Sequence, residues 1–238
     1  MPEPEPPSLL DAAVAADVHA LRPDYLALLL VVRGVRGGPT DAVSDAALHR
    51  AEQAARERLA GSAPETLPEI AAWREAFASF GVRPRQARSS VEALLRRVDA
   101  GLPRVDRLTD LYNAVSVEHL LPVGGEDLDR YVGPPGLVRA TGDEPFDTVA
   151  DGEPVVTAPE PGEVVWRDDA GVTCRRWNWR QCVRTRLTAG TTSVLFILDG
   201  LAPMGVRDLE AAGDALVASV AAGEAGVEVD STLLGPAG

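Results

Sequence analysis

The chain alternates between short continuous apolar runs and stretches in which apolar positions recur every three or four residues. Apolar runs closed by turn residues are typical of buried strands; here they are 25–35, 137–140, 164–166 and 194–198, the last predicted as a central strand. The stretches with helical spacing begin near capping residues and end near glycines. The helices that they predict are 41–60, 68–80, 89–97 with an N-cap serine in the pair Ser89–Ser90, 108–119 with an N-cap at Thr109 or Asp110, and 206–220.

The predicted helices and strands are partly segregated along the chain, with most strands in the second half. This order predicts an α+β fold in which a mixed central β-sheet is flanked by helices. One domain is expected over 9–230. Residues 1–8, rich in Pro and Glu, are predicted to be a disordered tail and 231–238 a flexible one, because such segments bury little apolar surface.

Composition excludes several classes of function. The formal charge is −13, and all 23 cationic residues are arginines, because the chain contains no lysine. A Walker A loop and a Schiff-base enzyme both need a lysine, so neither is possible. His19, His49 and His119 are far apart, and Cys174 and Cys182 lack the spacing of a zinc site, so no metal or cofactor is expected. The two cysteines and the absence of a signal-peptide pattern or a long apolar span favour a cytoplasmic protein.

The stretch CRRWNWRQC at 174–182 is the most unusual in the chain. Predicted as a strand, it alternates its side chains between two faces. One face would carry Cys174, Arg176, Asn178, Arg180 and Cys182, and the other Arg175, Trp177, Trp179 and Gln181. Such a strand can form the wall of a binding pocket, with arginines and Asn178 addressing a phosphate, a carboxylate or an ester. It can also be a sheet strand with packed tryptophans and paired surface arginines.

Two further segments offer polar groups to a ligand. LPVGGEDLD at 121–129 is predicted as a tight loop, and the backbone N–H groups of Gly124 and Gly125 could hold an ester oxygen; alternatively, the loop only connects two elements. Asp199 ends the apolar run 194–198, where it is either a functional acid or a turn cap.

A cluster of arginines lies just before the predicted helix 89–97 and at its C-terminal end. In spite of the net negative charge, such a cluster can bind a phosphate backbone. It can equally form a solvated face paired with neighbouring carboxylates. Its members are Arg83, Arg85, Arg88, Arg96 and Arg97.

Taken together, these segments resemble a known family. The motifs FGVRP, RSSVEALLRR, DLYNAVS, LPVGGEDLD and CRRWNWRQ, in this order over about 70–220, are similar to those of freestanding B3/B4-type proteins related to the editing domain of the bacterial phenylalanyl-tRNA synthetase β-subunit. That domain is a mixed α/β fold that hydrolyses tyrosine wrongly esterified to the phenylalanine tRNA. The resemblance implies a protein that clears mischarged tRNA in trans.

The resemblance also implies roles for particular residues. Asn113 would lie beside the editing pocket, and Asp199 near the place of a glutamate that recognises the tyrosine hydroxyl. Gly124 replaces the pocket histidine, so a different amino acid is expected.

For an aminoacyl-tRNA deacylase we expect the Gly124–Gly125 backbone on the ester, and Asn113 and Asn178 orienting the substrate. Asp199 would hold the α-amino group. The substrate contacts would come from Arg175, Arg176, Trp177, Trp179 and Arg180, with Arg176 or Arg180 on the terminal ribose-phosphate. The alternative is a non-catalytic module on the same fold that binds RNA, an amino-acid-like ligand or a protein partner. The charge of −13 favours recognition of a small ligand or a protein, since an editing protein must bind tRNA.

Overall fold

The computed structural model describes residues 9–236. Helices α1 to α6 are, in order, Ala16–Leu21, Ala42–Leu59, Pro68–Ser79, Ser90–Leu95, Arg107–His119 and Val206–Val220. Strands β1 to β11 are Ala13–Val14, Leu26–Arg33, Val123–Asp127, Gly136–Arg139, Phe146–Ala150, Glu153–Thr157, Val164–Asp168, Gly171–Arg175, Arg180–Gln181, Ser193–Gly200 and Glu228–Leu234. Short 3₁₀ turns occur at Leu9–Asp11, Pro64–Thr66 and Leu128–Arg130.

The strands form two main sheets and one separate hairpin. One sheet has the order β11-β2-β10-β3 with antiparallel pairs throughout. The other has the order β1-β4-β7-β8-β9, in which β1 and β4 are parallel and the remaining pairs antiparallel. Strands β5 and β6 pair only with each other. The predicted α+β fold with a mixed sheet is confirmed, and the strands are divided among these sheets.

Strand β10 lies inside the four-stranded sheet, and its alternating side chains separate two layers. Phe196 faces α5, with its ring 6.3 Å from that of Tyr112, and α6 packs against the same sheet. Ile197 and Asp199 project to the opposite face, where they line a cavity together with Trp166 of the other sheet. The candidate site is therefore enclosed between the two sheets.

Helix starts follow local hydrogen bonding. Asp41 caps α2 by accepting from the backbone N–H groups of Val43 and Ser44, and Ser89 caps α4 as predicted. The prediction of Thr109 or Asp110 as the cap of α5 is wrong. Asp106 caps this helix, while Asp110 is fully buried and accepts from the Val105 N–H and from Thr40.

The structure corrects three predictions, which concern a loop, a strand and a terminal tail. The loop predicted around Gly124 contains strand β3, which pairs with β10. The stretch 174–182 is a tight hairpin instead of one strand, because 176–179 form a turn between β8 and β9. The predicted tail from Ser231 begins inside β11, whose pairing with β2 extends to Leu234. The predicted tail at 1–8 lies outside the described residues, as do 237–238.

Several carboxylates buried in the protein are neutralised by arginines. Glu92 in α4 is 1% exposed, and its Oε1 lies 2.6 Å from Arg74 Nη2 and 2.9 Å from Arg96 Nε. Arg88 adds an ion pair at 3.4 Å. Desolvation opposes the charge of Glu92, but these guanidinium groups hold its pKa below the usual value. This hub fastens α4 to α3.

None of the helices between residues 9 and 236 is long and apolar enough to cross a membrane.

We predict that Glu92→Gln lowers the free energy of unfolding by about 2 kcal/mol, since it leaves guanidinium groups around a neutral amide. The figure lies below that for a fully buried pair because the arginines are partly exposed. Chemical denaturation at pH 7 measures it. Glu65→Gln, which removes a half-exposed partner of the same arginines, is the matched control and is expected to cost under about 1 kcal/mol. Equal losses in the two variants would contradict the assignment of Glu92 as the hub.

Candidate functional site

A cavity of about 200 Å³ lies between the two main sheets. Its walls come from both sheets, from α4 and α5, and from the turn at 176–179. The lining residues are Ser90, Tyr112, Asn113, Val123, Gly124, Glu126, Trp166, Cys174, Trp177, Asn178, Trp179, Arg180, Gln181, Ile197 and Asp199. The cavity thus combines aromatic walls with two carboxyl groups and three amides.

Asp199 lies at one end of the cavity and is 2% exposed. Tyr25 donates a hydrogen bond of 2.5 Å from its hydroxyl to Oδ1, and Asn178 Nδ2 donates one of 3.3 Å to Oδ2. The indole N–H of Trp166 faces the same carboxyl group without reaching hydrogen-bond geometry. Desolvation outweighs these donors and raises the pKa of Asp199 to about 7.

Glu126 is a second buried carboxyl group in the same cavity, also 2% exposed. Its Oε2 accepts hydrogen bonds from the hydroxyls of Tyr131 at 2.6 Å and of Thr185 at 3.0 Å. Desolvation raises its pKa to about 7 in spite of these donors. Both acids therefore titrate near neutral pH, where a change in their surroundings alters their charge.

The turn between β8 and β9 has an unusual backbone. Arg176 and Trp177 have φ angles of 47° and 66°, which lie in the left-handed region that residues other than glycine rarely adopt. The buried Glu163 holds the turn by accepting from the Arg176 backbone N–H at 3.1 Å and from the Arg175 side chain at 2.7 and 2.9 Å. Tertiary contacts thus impose a conformation that local preference opposes.

Trp177 is fully buried and anchors this turn. Its ring lies 4.9 Å from that of Tyr25 and 5.6 Å from that of Trp73, both edge-on, and 6.3 Å from that of Phe80. The backbone N–H of Trp177 donates to Val164 O at 2.7 Å. Because Trp177 is fixed, the next residue, Asn178, reaches Asp199.

The mouth of the cavity is aromatic and cationic. Arg176 and Arg180 both stack on the ring of Trp179, at 4.4 and 4.6 Å from its centroid. Arg176 also donates to Gln86 O at 3.4 Å, which joins the turn to the segment that precedes α4. Asn113 lies on the opposite wall, and its side chain makes no hydrogen bond within residues 9–236.

The structure brings most of the predicted catalytic and substrate-binding residues to this one cavity. Those that line it are Asn113, Gly124, Trp177, Trp179, Asn178, Arg180 and Asp199. Gly125 does not, because its position faces α5 and a Cβ there would lie 3.0 Å from the rings of Phe196 and Tyr112. Arg175 is paired with Glu163, and Arg176 contacts the site only through Trp179.

The predicted arginine cluster divides into two groups. Arg88 and Arg96 contact the buried Glu92, which corresponds to the alternative of paired arginines. Arg83, Arg85 and Arg97 are exposed and form no ion pair within the described part of the chain. Only these three remain available to a phosphate backbone.

Sequence reasoning missed three residues of the site. Glu126 lies in the motif LPVGGEDLD, and its position directly after two glycines was the sequence feature that could have indicated it. Tyr25 reaches Asp199 from 174 residues away in the chain, which no local pattern indicates. Trp166 was predicted only as part of a strand.

Two comparisons relate this geometry to known proteins. Residues 72–218 match the family model described as the B3/4 domain. The crystal structure of an N-terminal fragment of the phenylalanyl-tRNA synthetase beta-subunit from Pyrococcus horikoshii is 15% identical, with a TM-score of 0.47. The match covers 96% of this chain but only 53% of that one. No curated protein matches the chain.

We predict that the burial of Asp199 makes stability depend on pH. The folded protein holds a proton on this carboxyl up to a pKa of about 7, whereas the unfolded chain releases it near 3.8. Stability is therefore lost as pH rises through this window. The free energy of unfolding falls between pH 5 and pH 8 in the wild type. In the Asp199→Asn variant we expect this fall to be smaller by about 2 kcal/mol.

Urea denaturation at the two pH values measures this difference. Asp214→Asn, which changes an exposed acid of α6, is the matched control and is expected to follow the wild type. An Asp199→Asn curve parallel to the wild type would show that the carboxyl is ionised throughout.

Proposed function

The chain belongs to the B3/4 domain family, and on that premise we propose that it hydrolyses the ester bond of mischarged aminoacyl-tRNA in trans. The observation that carries the proposal is the cavity between the sheets, where Asp199, Asn178 and Asn113 surround a space of about 200 Å³ behind a cationic mouth. This is the size and polarity that an esterified amino acid requires.

The polar groups of the cavity include some without a partner. Asn178 Oδ1 and Trp166 Nε1 are buried and form no hydrogen bond within residues 9–236. A buried acceptor and a buried donor of this kind are costly unless a ligand satisfies them. A polar ligand that offers both a donor and an acceptor, as an amino acid does, fits this pair.

The chemistry of the lining favours water as the nucleophile. Cys174 is the one thiol in the cavity, and burial, together with the charges of Glu126 and Asp199, raises its pKa well above the usual value. No histidine is among the lining residues. An aminoacyl ester is already activated, so a positioned water and stabilisation of the developing oxyanion suffice.

Each polar group then has a role. Asp199 holds the α-ammonium group, whose charge favours the ionised carboxylate and lowers its pKa on binding. Asn178 orients the amino acid through its unpartnered Oδ1. Asn113, whose amide is free at the mouth, donates to the ester oxygen. Gly124 leaves room for the Gln181 side chain, because a Cβ there would lie 3.1 Å from Gln181 Nε2.

The arginines outside the cavity supply the nucleic-acid contact. Arg180 is exposed at the mouth and lies on Trp179, where it can meet the terminal ribose-phosphate. Arg83 and Arg85 extend the cationic surface, since their segment contacts Arg176 through Gln86. This local surface offsets a net charge that by itself would repel tRNA.

A non-catalytic ligand-binding module remains the second candidate, because the formal charge of −13 opposes a polyanionic partner. The two candidates differ in one outcome. Only the first releases an amino acid from tRNA.

We predict that the purified protein releases one amino acid from a panel of mischarged tRNAs, and that Asn178→Ala reduces its kcat/KM at least about 100-fold. The loss follows because the variant removes both a donor to Asp199 and a substrate acceptor. Release of the labelled amino acid measures it. Arg207→Ala, an exposed arginine of α6 on the other face of the sheet, is the matched control. Survival of every ester, with thermal stabilisation by a free amino acid, would favour the binding module.

We also predict that the double variant Arg83→Ala, Arg85→Ala weakens tRNA binding and reduces the slope of log K against log salt by about 1.5 to 2. Fluorescence anisotropy between 50 and 200 mM salt measures both quantities. Arg207→Ala controls for the loss of positive charge elsewhere. An unchanged slope would remove this segment from the tRNA contact.

A further inference from the structure

Glu126 is the one carboxyl group of the cavity to which neither the family resemblance nor the proposed function gives a part. It is buried on β3, and its register partner on β10 is Leu195. Because paired residues project to the same face of a sheet, Glu126 lies on the face of Ile197 and Asp199. Gly124, paired with Ile197, separates the two acids without a side chain of its own.

The hydrogen bonds of Glu126 leave one oxygen for a reactant. Tyr131 and Thr185 both donate to Oε2, so Oε1 takes neither hydroxyl. Asp199 differs, because Tyr25 and Asn178 occupy one oxygen each. The Thr173 hydroxyl lies beside the same carboxyl group. These hydroxyls hold Glu126 in place in the wall of the cavity.

The strand register places the two acids at a backbone separation comparable to the length of an aminoacyl ester with its attacking water. Asp199 is four residues along β10 from Leu195, the partner of Glu126, which is about 13 Å along the strand. The path runs from the first carboxylate oxygen to the α-ammonium nitrogen, on to the ester carbon, then to the attacking water and finally to an oxygen of the second carboxylate. Its total length is about 11 Å. With the α-ammonium on Asp199, the water therefore lies within reach of Glu126.

We infer that Glu126 is the general base that activates the hydrolytic water, an assignment that rests on the proposed deacylation. As the water oxygen attacks the ester carbon, its proton passes to Glu126 Oε1. The tetrahedral intermediate then breaks its bond to the ribose oxygen, which takes the proton from Glu126. The products are the free amino acid and tRNA with its terminal hydroxyl restored.

The electrostatic surroundings suit this task. A general base works best when its pKa lies near the operating pH, and burial brings the pKa of Glu126 to about 7. The titratable and charged groups that face Glu126 from the neighbouring elements, besides Asp199, are Tyr112, Tyr131, Asp168, Cys174, Cys182 and Arg184. Of these, the tyrosines and thiols stay neutral near pH 7, because burial raises their pKa values.

The test is the single-turnover rate of deacylation between pH 5.5 and 8.5 for the wild type, Glu126→Gln and Asp199→Asn. We expect the wild-type rate to rise with pH and level off above a midpoint near 7. Glu126→Gln is expected to lose about 100-fold or more in rate and to lose the midpoint. Its affinity for a non-hydrolysable aminoacyl-adenosine amide should stay within threefold of the wild type. Asp199→Asn should weaken that affinity and keep the midpoint.

The outcomes separate this inference from the function on which it rests. A Glu126→Gln rate within threefold of the wild type overturns the inference and leaves the deacylase intact. If that variant does not fold, the wild-type profile decides, since a rate without a midpoint between pH 6 and 8 also overturns it. A midpoint abolished by Asp199→Asn would assign the base to Asp199. A wild-type protein that hydrolyses no ester overturns the proposed function and this inference with it. Glu52→Gln, a buried acid on α2 away from the cavity, is the control and should keep both rate and midpoint.

Discussion

The site depends on the burial of Trp177 between the N-terminal segment and α3. This indole packs edge-on against Tyr25 and Trp73, while the backbone of Arg176 and of Trp177 itself adopts the left-handed conformation. Stacking and burial of so large a ring offset the cost of two strained residues, which is of order 1–3 kcal/mol each. Asn178 is the next residue along, so the packing of one side chain determines where the polar end of the cavity lies.

Tyr25 gives this packing a chemical consequence, because the ring that supports Trp177 also donates its hydroxyl to Asp199. The family match begins only at residue 72. The segment before residue 72 nevertheless contributes to the site, because Tyr25 packs against Trp177 and donates a hydrogen bond to Asp199. Without that donor, desolvation of Asp199 would be opposed only by Asn178 and the more distant indole of Trp166. Asp199 thus connects the segment before residue 72 to the polar end of the cavity.

Elements that are determined by neighbouring residues could be predicted from the sequence, whereas elements that depend on distant residues could not. The cap at Ser89 and the helix 206–220 follow from residues within a few positions of one another, and the structure contains both. Gly124 and Gly125 indicated a loop, because adjacent glycines usually form turns; here the lack of side chains instead lets an edge strand lie against Tyr112 on one face and Gln181 on the other. The turn at 176–179 was missed because Glu163, 13 residues before Arg176, stabilises its backbone. Contacts this distant in sequence have no local pattern.

Pairing with arginine explains how a chain without lysine buries several acids. Glu92, Glu163 and Asp168 each accept from guanidinium groups, whose planar donors match a carboxylate in two places. In the cavity, the buried acids Glu126 and Asp199 have no arginine partner and are hydrogen-bonded by hydroxyls and an amide instead. A neutral donor stabilises a carboxylate less than a cation does, so the pKa values of these two acids rise while that of Glu92 falls. Glu92, Glu163 and Asp168 are thus neutralised by arginines, whereas the two acids of the cavity are left able to take up and release a proton.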